Sequence, residues 1–380
     1  MEKVDSKYNV DFIKTRRYFH LKACIAGFEK TGKTILFNAI TGLDIPISYG
    51  QTPEHIIHEG IAIVEDPRIT TLSNIFKPRK TTYATIQYID LPGLSKKDQQ
   101  RNQKIFEHIK DGEVIIHVIR AFNDSATEHH SQFIDIARDI KSFENELILF
   151  DYILVDKRIE RININLKRGL KEKEGELKLF QKIKEYLEKE MPLRELSFTE
   201  EELKLLLPYK FLSTKPIIHV VNHGEHLDQT LTNEIISLKK MYEDSANTSL
   251  ISLCATLEKE ISELPKEDRK IFLEELGIEE PASNLLVRAS YKILGFISFF
   301  TVGEDEVRAW TIKKGMTAKE AGGKIHTDIE KGFIRAEVIS YKDFINTGSI
   351  KEAKERGLFR LEGKNYIVED GDIMNFRFNV

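Results

Sequence analysis

Residues 21–42 read LKACIAGFEKTGKTILFNAITG. Leu21 to Gly27 is a short apolar run of the kind that forms a buried strand. Gly27-Phe28-Glu29-Lys30-Thr31-Gly32-Lys33-Thr34 then fits G-x-x-x-x-G-K-[ST]. TILFNAITG follows with helical spacing and stops at Gly42. Strand, glycine-rich turn and helix form the setting in which this octad wraps phosphates. Glycines let the backbone curl so that its N–H groups point inward. The positive end of the following helix adds to the attraction for anions. Glu29, Lys30, Thr31, Gly32, Lys33 and Thr34, with Ile35 just inside the helix, are therefore expected to line a nucleotide. Lys33 is expected to reach the β- and γ-phosphates and to act in catalysis there. Thr34 is expected to place its hydroxyl on Mg²⁺.

Further buried-type strands recur outward from this unit: GIAIV at 60–64, ATIQYID at 84–90, EVIIHVIRAF at 113–122, PIIHVVN at 216–222 and SLISLCA at 249–255. Strands alternating with helices predict an α/β domain with a mostly parallel sheet. Asp90-Leu91-Pro92-Gly93 closes one of these strands. An acid there holds magnesium, and the Gly93 N–H meets the γ-phosphate and senses its loss. Leu94 stands where efficient small GTPases carry a water-orienting Gln; core packing is its other reading.

Asn222-His223-Gly224-Glu225 ends the strand PIIHVV, where GTPases carry N-K-x-D. Asn222 is expected at the purine N7, with His223 over the base. Glu225 replaces the guanine-reading aspartate with a longer acid, which puts the guanine contact in question. Cys254, Ala255 and Thr256, after SLISL, are expected to line the base.

Residues 138–205 interrupt this pattern with Glu, Lys, Leu and Ile at helical spacing, read as an antiparallel hairpin of two long helices. From about residue 293 the chain reads as a small α+β module. Its β segments are ISFFTVG, VRAWTIKKG, GFIRAEVISY, KNYIVEDGD and IMNFRFNV, and its helices TAKEAGG and SIKEAKERG. Trp310, Phe333, Tyr366, Phe376 and Phe378 are expected to fill its core. Lys313, Lys314, Lys331 and Arg335 are candidates for phosphate contact, with Asp328, Glu330 and Glu337 close by.

The expected partition is thus an extension over 1–20, a nucleotide-binding domain over 21–137 and 206–292, the hairpin over 138–205, and a C-terminal domain over 293–380. The 380 residues suffice for such a multi-domain chain. Lys+Arg number 57 against 61 Asp+Glu, a net charge of −4, which argues against gripping nucleic acid by bulk charge. Two distant cysteines, Cys24 and Cys254, make neither a disulfide framework nor a metal site, so a reducing, cytoplasmic setting is expected. With no run of ~18 apolar residues, a membrane span is not expected.

Together these residues resemble the YchF/Obg-like ATPases of the TRAFAC class of P-loop proteins. The resemblance covers nearly the whole chain from Leu21. It is most specific in RAWTIKKGMTAKEAGGKIHTDIEKGFIRAEVISYKDF and KERGLFRLEGKNYIVEDGDIMNFRFNV, and extends to ENELILFDYILVDKRIERI in the hairpin. It implies a P-loop domain with an N-x-x-E base motif, a hairpin insertion and a C-terminal TGS domain of β-grasp fold. It also implies a preference for ATP over GTP, weak hydrolysis, Mg²⁺ dependence and association with ribosomes. A monomer is expected, docking on a ribosomal or RNA surface through the TGS domain and the hairpin, whose other reading is a solvated helical pair. A histidine after the strand ending Arg120-Ala121-Phe122 supports hydrolysis in the family; His129 falls there, with His130 beside it as the alternative. Three stretches depart from the family pattern. The loop is GFEKTGKT rather than G-x-P-N-V-G-K-[ST]. The first switch reads SYGQTPEHIIHEG, with Glu54 at the threonine position and Thr52 as the nearby magnesium candidate. The second switch, SKKDQQRNQK, is short and lacks glycine. These fit a divergent paralogue. Two alternatives stand beside the ATPase: a GTPase of the same fold, and a nucleotide-binding scaffold that no longer hydrolyses.

Overall fold

Short, β-branched runs bounded by turn residues build the first sheet. The computed structural model describes residues 21–47, 56–95, 98–123, 133–169 and 174–379. Thr52, Glu54, His129, His130 and the extension over 1–20 lie outside these residues. In chain order the first strands are β1 (Leu21–Ala26), β2 (His58–Ile63), β3 (Lys80–Thr82), β4 (Thr85–Asp90), β5 (Val114–Ala121), β6 (Ile217–His223) and β7 (Thr248–Leu253). All but β3 form one sheet in the order β2-β4-β1-β5-β6-β7. Pairing is parallel except between β2 and β4. GIAIV, expected as a buried strand, is instead half of an edge. Alternate residues of β2 face water, with Ile61 44% and Ile63 53% exposed. An edge strand with one covered face needs only every second side chain buried.

Helices connect these strands: α1 (Lys33–Thr41), α2 (Pro67–Phe76) and α3 (Gln99–Lys110) early, then α4 (Ile136–Lys167) and α5 (Glu174–Leu187). The α4 side chains Ile148, Val155 and Ile162 recur every seven residues and pack on Leu179, Phe180, Ile183 and Leu187 of α5. That is a coiled-coil seam. The ion pairs Arg158–Glu176 (2.5 Å) and Lys184–Asp156 (2.5 Å) flank it. At ~1.5 Å per residue, α4 is about 48 Å long. The second arm is shorter than expected: α5 ends at Leu187, and a 3-10 turn and the short α6 (Glu200–Leu206) follow. The chain leaves the helical path at Glu190, whose φ of +56° is left-handed, and Pro192 keeps Met191 from resuming it.

Asp151 fixes the hairpin's root. It is buried on α4 and accepts from Leu212 N (2.9 Å), Ser213 N (2.7 Å) and Ser213 Oγ (2.7 Å), on the segment entering β6. Burial pushes its carboxyl up to about 6 against those three bonds. Asp151→Ala would leave buried donors unpaired, so a loss of about 3 kcal/mol or more is expected in urea unfolding. A loss below about 1 kcal/mol would show that these bonds do not anchor the hairpin.

After α7 (Gln229–Met241), α8 (Ala255–Glu263), α9 (Lys266–Glu275) and α10 (Ala282–Ile293), a second sheet begins. Its strands are β8 (Phe296–Thr301), β9 (Glu306–Lys313), β10 (Phe333–Ser340), β11 (Arg360–Glu362) and β12 (Asp372–Phe378), ordered β11-β10-β12-β8-β9-β3. The helices α11 (Ala318–Ile325) and α12 (Thr327–Lys331) lie across it. Ala318, Ala321 and Ile329 meet Phe299, Ile312, Val338, Met374 and Phe376. Phe376 is buried, and Trp310, Phe333 and Tyr366 pack at the core margin. Phe378 does not fill the core: it is 44% exposed at the end of β12. KNYIVEDGD is not a strand of its own either: Ile367 makes an isolated bridge to Thr317, and only the segment's last residue, Asp372, begins β12. Asp372 draws this segment into a turn, accepting from Tyr366 Oη and Glu369 N.

The two sheets are joined. Lys80–Thr82, in the early part of the chain, pairs in parallel with Glu306, Val307 and Arg308. Ile69 and Leu72 of α2 share one apolar core with Phe300, Val307 and Phe344. Arg68 holds both Asp66 (2.8 Å) and Asp370 (2.9 Å). Among the described residues no helix is long and apolar enough to cross a membrane.

Candidate functional site

The carboxyl ends of β1, β4, β6 and β7 converge on one rim, the usual place for a ligand in an open α/β sheet. Gly27 leaves β1 and the loop turns to Gly32, the N-cap of α1, at φ +88°. Lys33 Nζ folds back to donate to Phe28 O (2.6 Å), and Thr31 Oγ1 donates to the same carbonyl (3.2 Å). Burial pulls the Lys33 ammonium down to about 8; Asp90 and Glu29 oppose that, and Arg101 adds to it. A cation kept short of partners inside a loop of N–H groups is a receptor for phosphate.

Thr34 Oγ1 donates to Asp90 Oδ2 (2.7 Å), so two of the three expected magnesium residues touch, the third, Thr52, lying outside the described residues. The second carboxylate oxygen of Asp90, Oδ1, is buried with no hydrogen-bond partner among the described residues. His58 Nδ1, from β2, lies 3.7 Å from Oδ2. Burial raises the Asp90 carboxyl above its usual range; the Thr34 bond, Lys33 and His58 work against that. One hydroxyl beside one carboxylate with a spare oxygen fits magnesium, which keeps several waters and takes oxygens from its phosphates. Among the described residues no group of three or more His, Cys, Asp or Glu side chains is placed to hold a metal ion.

Gly93 packs on the phosphate loop: a Cβ there would lie 2.6 Å from Glu29 Cα. The next residue, Leu94, donates its N–H to Gly27 O (2.9 Å). Its side chain is buried in the core, which is the packing reading of that position. Nothing at Leu94 can orient water.

On the base side, Asn222 differs from expectation. Its Nδ2 donates to Thr31 O (2.9 Å) and its Oδ1 accepts from Ala255 N (2.9 Å), so this buried amide ties the phosphate loop to the start of α8. One N–H of the two remains for a purine N7. His223 is half-buried, its Nδ1 2.6 Å from Gly224 O. Glu225 and Thr256 are exposed at the rim, while Cys254 and Ala255 are buried behind it. Lys30, at φ +60°, and Glu29 stand at the mouth of the loop.

The rim therefore gathers Glu29 to Ile35, Asp90, Gly93, Asn222, His223, Glu225 and Cys254 to Thr256. Two participants had no sequence signal strong enough to be named: His58 beside Asp90, and Arg101, which pairs with Glu29 at 3.0 Å. The one available cue was the acid in the phosphate loop, which needs a neighbouring cation.

Residues 22–155 match the family MMR_HSR1, described as a 50S ribosome-binding GTPase. Residues 296–379 match YchF-GTPase_C, described as a protein of unknown function (DUF933). The chain is 41% identical over 366 residues to the ribosome-binding ATPase YchF of Bacillus subtilis (strain 168), covering 95% of this chain and 100% of that protein. Against the ribosome-binding ATPase YchF of Escherichia coli O157:H7 it is 38% identical over 362 residues, covering 94% and 99%. The solved structure of the Schizosaccharomyces pombe YchF GTPase superposes with a TM-score of 0.79 at 28% identity, over 95% of this chain and 99% of that one.

Proposed function

The chain belongs to the YchF family, and from that premise we propose a magnesium-dependent P-loop switch that binds ATP, hydrolyses it slowly to ADP and phosphate, and works on the ribosome. The observation that carries the chemistry is the closed loop around Lys33 with the Thr34–Asp90 pair beneath it. Lys33 and the loop N–H groups bind the phosphates; Thr34 and Asp90 would hold the magnesium, which would supply charge neutralisation there. Slow turnover follows from Leu94, which offers no hydrogen bond to an attacking water.

Two features favour adenine. Glu225 stands at the guanine-reading position but is one methylene longer than aspartate, and it is exposed rather than braced. The bacterial relatives above are named ATPases, although the Schizosaccharomyces pombe protein is titled a GTPase. Competition of Mg-ATP and Mg-GTP against a fluorescent nucleotide should show the stronger displacement by ATP. A clear preference for GTP would overturn the adenine reading.

We assign residues 21–137 and 206–292 to nucleotide binding, 138–205 to the hairpin and 293–380 to the TGS domain, in a cytoplasmic monomer. Exposed Lys313, Lys314, Lys331 and Arg335 on the C-terminal domain support contact with ribosomal RNA alongside protein. Co-sedimentation with ribosomes in ATP and in ADP tests this; equal absence from the pellet in both states would refute ribosome docking.

A further inference from the structure

Two departures from the family pattern, an acid in the phosphate loop and a glycine-free second switch, meet in space. Arg101 Nη1 reaches Glu29 Oε1 at 3.0 Å. Arg101 sits in the first turn of α3, where Asp98 caps the helix by accepting from Arg101 N (2.9 Å). Resting on the nucleotide reading above, we propose that Arg101 is a ligand for the terminal phosphate of the bound triphosphate, held ready by Glu29 until that phosphate arrives.

Position comes first. Glu29 packs directly against Gly93, the turn expected to sense the third phosphate. Its ion pair therefore marks the γ end of the site rather than the base end. Both partners also act on Lys33: after burial and Asp90, the next influences on its charge are Glu29 and then Arg101. The guanidinium thus lies within electrostatic range of the cation that meets the β- and γ-phosphates.

Charge comes next. A lone carboxylate at this place would repel a triphosphate, and Arg101 removes that penalty while the site is empty. A phosphate carries more charge than a carboxylate and presents oxygens that match the guanidinium fork. It is therefore the better partner once bound. The two side chains differ in freedom. Arg101 is only 10% exposed and is held by its surroundings, whereas Glu29 is 39% exposed. On exchange of partners the carboxylate can swing to water and the guanidinium stays in place. An arginine supplied within the same chain is a known way to meet charge on a transferring phosphoryl group.

The test is calorimetry on the full-length protein with Mg²⁺, using ADP and a non-hydrolysable ATP analogue. Arg101→Ala is expected to weaken the analogue about tenfold or more and ADP by less than about threefold, with Arg101→Lys recovering part of the loss. Glu29→Gln separates contact from neutralisation. In that background, removing Arg101 should still weaken the analogue about tenfold. No loss in the Glu29→Gln background, or equal losses for ADP and analogue, would overturn the proposal. Thermal melts of each variant check folding, and Arg101→Gln serves if the alanine variant does not fold. If wild-type protein takes up neither nucleotide, it is the nucleotide reading that fails, ahead of this inference.

Discussion

Gly32→Ala is expected to weaken triphosphate binding by about a hundredfold while the protein stays folded. Two separate penalties combine. The residue sits at φ +88°, in the left-handed region where a side chain costs roughly 1–2 kcal/mol. A Cβ would also lie 2.2 Å from Asn222 Nδ2, far inside contact distance. Asn222 cannot yield without releasing Thr31 O and Ala255 N, and a buried donor left unpaired costs about 1–3 kcal/mol. Together these reach the ~2.7 kcal/mol that corresponds to a hundredfold. The loop would relax by opening, which spoils the cradle of N–H groups. Gly42→Ala is the matching control: its φ is +68°, yet nothing lies within 4 Å of a Cβ there. It should lower the melting temperature slightly and leave nucleotide affinity alone. Calorimetry with an ATP analogue decides, and a Gly32→Ala variant within about threefold of wild type would show that the Asn222 latch does not shape the site.

The contrast between legible and illegible parts of the molecule follows the range of the interactions. The phosphate loop was readable because its requirements are local: glycines where the backbone turns left-handed or packs closely, a lysine and a hydroxyl at fixed offsets. The parallel sheet was readable for the same reason, from short apolar runs. GIAIV reads as a buried strand because composition does not say whether a strand lies inside a sheet or at its edge. Lys80–Thr82 gave no signal at all, since KTT carries no apolar pattern and its partner, β9, lies more than 200 residues away. The Arg101–Glu29 pair is likewise long-range. The motif's spacing points Asn222 at the base, whereas its burial between two loops gives it a structural duty that no spacing reveals.

That division also bears on how the site communicates. The parts that bind phosphate rest on β1 and α1, while α2 and β3, on the same early stretch of chain, are built into the second sheet and its core. A change at Asp90 or at Gly93 therefore starts beside β4, whose partner β2 runs on into α2 and β3, the elements built into the second sheet and its core. β2 pairs with β4 at Asp90 through His58, and the chain from β2 runs directly into α2 and its Arg68–Asp370 contact. Along the chain, only a few residues thus separate β2, beside Asp90, from α2 and its contact with Asp370.

Lys33→Ala should reduce phosphate release by about a hundredfold to a thousandfold, because it removes a desolvated charge aimed at the reacting phosphates. A stability defect alone cannot mimic this, since Lys33 donates only to Phe28 O among the described contacts and its removal from the empty loop relieves a buried cation. The wild-type protein should also show a pH signature that the variant lacks. In the free protein the ammonium titrates near about 8, lowered first by burial. Bound phosphates favour the charged form and raise that value, so binding above pH 8 takes up a proton. Affinity should hence be flat with respect to Lys33 below about pH 8 and fall by up to about tenfold for each pH unit above it. Lys33→Arg, charged throughout, should bind more weakly yet lose the slope. The slope is measurable as proton uptake, by calorimetry at pH 9 in two buffers of different ionisation enthalpy. An uptake that persists in Lys33→Arg would assign the titration to another group and remove Lys33 from the centre of the site.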